Sequence, residues 1–166
     1  MKTEREQTTN EALNKTDVMQ SVILPQDLRV GNIVASGFMN PTPTGLQKWY
    51  NPCEVKSIGI EKIIVTEKIG KKSLEKHDYS NIKPVILNDF WLEKLGFEKV
   101  YYGNYKRYQI DLLETNIYLR PSLEKWYFGF INNGQDCEIN DCYELEFVHE
   151  IQNLIFCLTR ISLTVA

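Results

Sequence analysis

Apolar residues recur along this chain with two different spacings, and the change between them divides it. From Leu24 to Val85 the spacing is short. Cys53-Glu54-Val55-Lys56-Ser57-Ile58 alternates apolar and polar, as a strand with one buried face does, and Gly59 ends it. Lys62-Ile63-Ile64-Val65-Thr66 is β-branched and predicts the next strand. Arg29-Val30-Gly31-Asn32 reads as a turn into Ile33-Val34, with Gly31 able to take a positive φ. Asn40-Pro41-Thr42-Pro43-Thr44-Gly45 reads as a loop, because two prolines remove ladder donors. Gly70-Lys71-Lys72-Ser73 and Tyr79-Ser80-Asn81-Ile82 read as turns. Five short strands and one long loop within residues 22–86 predict a small, bent barrel of the Src-homology-3-like kind, since closure hides strand edges.

At Leu87 the spacing becomes helical. Asn88 is a good N-cap, Leu87 and Leu92 can form a hydrophobic staple, and Gly96-Phe97 supplies a left-handed stop. Phe90, Trp91, Leu92 and Leu95 form the buried stripe of this helix. Aromatic and β-branched runs follow at Tyr105–Leu112, Asn116–Arg120 and Trp126–Ile131, with an Asn133-Gly134 hairpin signal before Cys137-Glu138-Ile139. Val148, Ile151, Leu154, Ile155 and Leu158 then lie on one helical face, and Ile161–Val165 alternates as a last strand would. The predicted class is α+β: the N-terminal barrel, then an antiparallel sheet packed with two helices over residues 87–166, the two parts joined as one unit. Residues 1–21 are polar without sustained period and predict a disordered leader.

Composition changes this picture little. Hydrophobic residues are 43% of the 166 and charged residues 25%, which is globular. No apolar run approaches the roughly 18 residues of a membrane span. No apolar stretch follows Lys2 and Arg5, so no signal peptide and a cytosolic location are expected. Four cysteines, Cys53, Cys137, Cys142 and Cys157, are expected as thiols there, and the spacing of Cys137 and Cys142 lacks the second pair that zinc requires. Net charge is −3 but uneven: residues 27–109 hold 13 Lys and Arg against 9 Asp and Glu, and residues 110–166 hold 3 against 9. Solvated or mutually packed faces account for that split without a nucleic-acid partner.

Three fragments carry a resemblance: Leu28-Arg29-Val30-Gly31-Asn32-Ile33-Val34, Ile86–Phe97, and Val148-His149-Glu150-Ile151-Gln152-Asn153-Leu154-Ile155-Phe156-Cys157-Leu158-Thr159. In order and spacing they resemble a small-protein family of gut Bacteroidetes and their phages and mobile elements. That family opens on "RIGN", continues with an "LxxxxLxxxGF" helix and closes on a "VHQLQNLYFALTG" segment. The chain departs from it at Glu150, Cys157 and Arg160, where the pattern has Gln, Ala and Gly. Losing that Gly removes the usual helix stop after Thr159. The resemblance implies a phage or mobile-element setting and no established activity.

Candidate chemistry is sparse. His149-Glu150-Ile151-Gln152-Asn153 lacks the second His of a zinc-protease helix, so His149, Gln152 and Asn153 are expected to form a structural polar site. A Cys–His nucleophile pair would have to assemble Cys53 or Cys157 with His77 or His149 across the fold. The acids between Asp136 and Glu150 lack calcium-loop spacing. Lys99–Tyr108 interleaves cations with tyrosines; its Tyr101, Tyr105, Lys106, Arg107 and Tyr108 could stack and neutralise a single-stranded nucleic acid, or pack as an ordinary strand face. Trp49 and Tyr50, beside the proline loop, are further partner-facing candidates. The expected function is non-enzymatic, either macromolecule-binding or regulatory, with the partner first a protein and second a single-stranded nucleic acid, and with no catalytic residue, metal, cofactor or membrane. A hydrolase whose site assembles from distant residues is the third reading.

Overall fold

The computed structural model describes residues 23, 25–43, 45–59, 62–66, 69, 74–112, 115–123, 125–132, 135–138 and 144–165. The predicted leader and the Asn133-Gly134 turn lie outside them. Among the described residues the chain is α+β, with antiparallel sheets and two α-helices, and it divides between Ile86 and Leu87 into two units.

The first unit is a five-stranded antiparallel sheet. β1 (Ile33–Thr42), β2 (Gly45–Ile58), β3 (Lys62–Thr66), β4 (Leu74–Asp78) and β5 (Ile82–Lys83) take the order β4-β3-β2-β1-β5. Its entry is the Arg29–Asn32 turn. The Asn32 N–H donates to Arg29 O at 3.1 Å, Gly31 sits at φ +94°, and the Asn32 side chain accepts the Arg29 N–H at 2.6 Å. A positive φ at the third turn position defines the type II geometry that favours glycine. The turn is then laced to β2 by Gly31 N–H to Val55 O and Val55 N–H to Asn32 O, at 2.8 and 2.9 Å. Ile23, Leu28, Val34, Cys53, Val55 and Ile82 form the core, and Cys53 Sγ lies 2.9 Å from Ser36 Oγ.

One expectation needs correction here. Asn40-Pro41-Thr42 is strand, paired with Gln47, Leu46 and Gly45. β1 pairs with β5 only at Ala35 and Ser36, so Pro41 sits where β1 is an edge and no donor is needed on its outer side. Among the described residues β4 and β5 do not pair, so the sheet is not closed by their hydrogen bonds.

The second unit is a meander. β6 (Glu98–Tyr102), β7 (Tyr105–Leu112), β8 (Thr115–Ser122), β9 (Lys125–Asn132) and β10 (Gln135–Glu138) take the order β10-β9-β8-β7-β6, and β11 (Glu144–Leu145) also pairs with β9. The first helix, α1 (Asp89–Lys94), has both ends set by its sequence. Asn88 Oδ1 accepts the Trp91 N–H at 3.2 Å. Gly96, at φ +90°, lets Phe97 N–H reach Leu92 O and Gly96 N–H reach Glu93 O, at 3.0 and 3.1 Å. That reciprocal pair is the Schellman stop. Trp91, Leu92, Leu95 and Phe97 are buried.

The second helix is α2 (Val148–Thr159). Phe147 has no side-chain acceptor, so only half of a capping box forms: Glu150 accepts the N–H groups of Phe147 and Glu146, at 2.9 and 2.8 Å. Its buried face is Val148, His149, Ile151, Gln152 and Ile155. Leu158 is 56% exposed and Leu154 half-buried, so the stripe is rotated toward two polar residues. Residues 161–165 form no strand; Gln152 Nε2 donates to Leu163 O at 2.9 Å and holds that tail as coil.

Candidate binding surface

The Lys99–Tyr108 segment doubles back on itself. Tyr102 pairs with Tyr105 around a two-residue turn, Tyr101 with Lys106 and Lys99 with Tyr108. Paired residues share a face, and faces alternate along a strand. Lys99, Tyr101, Lys106 and Tyr108 therefore lie on one face, and Tyr105 and Arg107 on the other. Tyr101 and Tyr105 are each 69% exposed, while Arg107 and Tyr108 are buried. Of the five partner-facing candidates in this segment, Arg107 and Tyr108 are thus covered within the unit. The Tyr108 ring meets Trp126 edge-on at 5.7 Å, and the Arg107 guanidinium lies 5.1 Å over Tyr118.

The face with Tyr105 carries a second stack, Arg120 over Tyr127 at 5.7 Å. Tyr118 is paired with Gly129, and a Cβ there would come within 2.4 Å of Tyr118 Cζ. The glycine is the space in which the ring lies.

On the α1 face, Asp89 is held by Lys106 Nζ at 2.7 and 3.0 Å and by Lys99 Nζ at 3.7 Å. Burial raises its pKa, but hydrogen bonds from Lys106 and Tyr108 and the two ammonium charges outweigh it and hold the carboxyl below its ordinary range. Burial also pushes the Tyr108 phenol well above its usual range, with Asp89 and Glu93 adding to it. Lys125 pairs with Glu144, and with Glu146 at 3.3 Å. Hydrogen bonds to these carboxylates raise its pKa, and the one from Lys125 lowers that of Glu144.

Between the start of α1 and the β8–β9 hairpin is an open groove of about 330 Å³, walled by Phe90, Pro121, Leu123 and Trp126 with Asp89 and Lys125 at its margins. Trp126 anchors the hairpin base, its Nε1–H donating to Leu87 O at 2.9 Å. Ser122 pairs with Lys125, so Leu123 is the first residue of a two-residue turn. It is fully exposed, at 104%, and left-handed at φ +53°. Such turns favour Asn or Gly. A left-handed L-residue costs roughly 1–2 kcal/mol. An uncovered leucine forgoes roughly 1.5–3 kcal/mol of burial.

The remaining predicted residues are placed as follows. His149 is buried, stacked on Phe147 with ring centroids 5.8 Å apart and 11° between planes. Gln152 is the tail clamp described above, and Asn153 is half-buried. Trp49 and Tyr50 lie in β2 opposite Phe38 and Gly37, and Tyr50 is half-buried. His77, in the first unit, has Nε2 3.4 Å from Glu75 Oε2. Among the described residues no group of three or more His, Cys, Asp or Glu is arranged to hold a metal, and no helix is long and apolar enough to cross a membrane.

Sequence reading passed over Leu123. The signal was present: Ser122-Leu123-Glu124-Lys125 joins two aromatic runs without the glycine or asparagine a tight turn favours. No protein-family model, curated protein or solved structure matches the chain.

Proposed function

We propose that the protein is a non-enzymatic binding protein that engages another protein in the cytosol, in the phage or mobile-element setting that the family resemblance implies. One observation carries this reading: Leu123 is at once fully exposed and backbone-strained, on a hairpin whose base is fastened by Trp126. A surface leucine with that double penalty is understandable where a partner covers it. The groove beside it is lined by neither histidine, which argues against the hydrolase reading. The first unit supplies a scaffold that we read as the small Src-homology-3-like barrel, supported by the pairing of β1 with both β2 and β5 and by the register shift between Val55 and Ser57.

A second reading, single-stranded nucleic-acid binding, is favoured by exposed Tyr105 on the face that carries the two Arg–Tyr stacks. Against it, Arg107 is buried, Lys99 and Lys106 share Asp89, and Lys125 is matched by Glu144 and Glu146. Fluorescence anisotropy with single-stranded and duplex probes, between roughly 50 and 200 mM salt, separates the two. The protein-binding reading expects no saturable, salt-dependent binding. Tight binding that weakens steeply with salt would replace it with the second.

A further inference from the structure

We propose that the groove beside Leu123 receives a basic peptide segment of a partner, anchored by one large apolar side chain and carrying arginine or lysine on the flank that meets Glu144 and Glu146. This rests on the protein-binding reading and names the partner's chemistry. The walls Phe90, Pro121, Leu123 and Trp126 are apolar, and a volume of about 330 Å³ accommodates a bulky side chain with its neighbouring backbone. Leu123 closes over such an anchor from the hairpin tip and thereby gains the burial that it lacks in the unbound protein.

Charge selects the flank. Lys125 is shared by Glu144 and Glu146, so one negative charge is left over at that margin of the groove. Both carboxylates are partly exposed, with side-chain accessibilities of 39% and 35%. At the other margin Asp89 is held by both Lys106 and Lys99, which leaves one positive charge over, so only the flank beside Glu144 and Glu146 is selected to be cationic. The unit as a whole is acidic, with 7 Lys and Arg against 12 Asp and Glu over residues 87–166. That field attracts a cationic segment and repels nucleic acid and anionic lipid.

The test uses the full chain and fluorescein-labelled nonapeptides read by anisotropy. One has a central leucine with arginines on one flank, a second has alanine at the centre, and a third has glutamates in place of the arginines. Vesicles of phosphatidylcholine with phosphatidylserine form a separate arm. The arginine-flanked leucine peptide should bind, and the other two should bind about tenfold or more weakly. Leu123→Asn, which suits the left-handed turn and keeps the fold, should cost about tenfold in affinity. Glu144→Gln with Glu146→Gln should weaken binding several-fold and flatten its salt dependence. Equal binding of the three peptides, absence of binding by all of them, or binding of vesicles alone overturns the proposal. Leucine-peptide binding that survives Leu123→Asn overturns the site while leaving protein binding in place at another surface. The nucleic-acid probes judge that broader reading independently.

Discussion

Leu123 and Arg160 are the two residues other than glycine with positive φ among the described residues, at +53° and +62°. Their surroundings differ. Arg160 ends α2: its N–H reaches Phe156 O at 2.8 Å, and its guanidinium lies 5.7 Å from the Phe156 ring centroid. Thr159 finishes the stop, its hydroxyl donating to Ile155 O and accepting the Ile161 N–H, at 2.8 and 3.1 Å. Strain at Arg160 is thus offset by the helix end that it completes. Leu123 has an apolar side chain at full exposure, and strain there gains no burial within the chain. Equal backbone strain with unequal local return separates an architectural residue from a candidate functional one.

The largest effect should come from the base that holds the Leu123 turn. Trp126→Ala removes a buried ring and leaves Leu87 O without its donor, and should cost about 3–5 kcal/mol in chemical denaturation. A loss below about 1 kcal/mol would mean that the hairpin is not fastened there. Gly129→Ala should come next, at about 1–3 kcal/mol, because its Cβ displaces Tyr118 from the cross-strand stack under Arg107. Near-native stability in that variant would show that the stacked face yields freely.

Relieving each strain in turn separates the two residues. Arg160→Gly should raise stability by about 1 kcal/mol, less the modest guanidinium–ring attraction, and leave peptide affinity unchanged. Leu123→Asn should raise stability by a similar amount, about 1 kcal/mol, and lose binding. If both variants behave alike in binding, the distinction between them fails.

The smallest effect concerns pH. The Asp89 carboxyl sits below its ordinary range when folded, so its contribution is present above the unfolded value and lost as pH falls through the folded one. Its side chain is 43% exposed, which limits the effect to under about 1 kcal/mol. Melting temperatures between roughly pH 6 and 2 should fall less for Asp89→Asn than for the parent chain. Identical acid limbs would remove the Asp89–Lys106 pair from the account.

Local signals were legible wherever a short stretch determines its own geometry. Asn88 and Gly96 bound α1, and Gly31 shapes the turn into β1. Long-range pairing was not legible. Lys99–Tyr108 reads as one aromatic-basic run, and only the β6–β7 reversal together with Trp126, brought in from β9, leaves Tyr108 in the core and Tyr101 and Tyr105 outside. The same limit explains α2, where apolar spacing favours Leu154 and Leu158, yet Gln152 is turned inward to bind the tail at Leu163. Leu123 was only half legible: Ser122-Leu123-Glu124-Lys125 shows a join without turn residues, but exposure and a left-handed φ are properties of the folded turn.

The most direct measurement is a methyl-detected NMR titration of the full chain with the arginine-flanked leucine peptide. The Leu123 methyl resonances should shift most and saturate with the same affinity as anisotropy reports. Saturable binding with unmoved Leu123 methyls would contradict the proposed site.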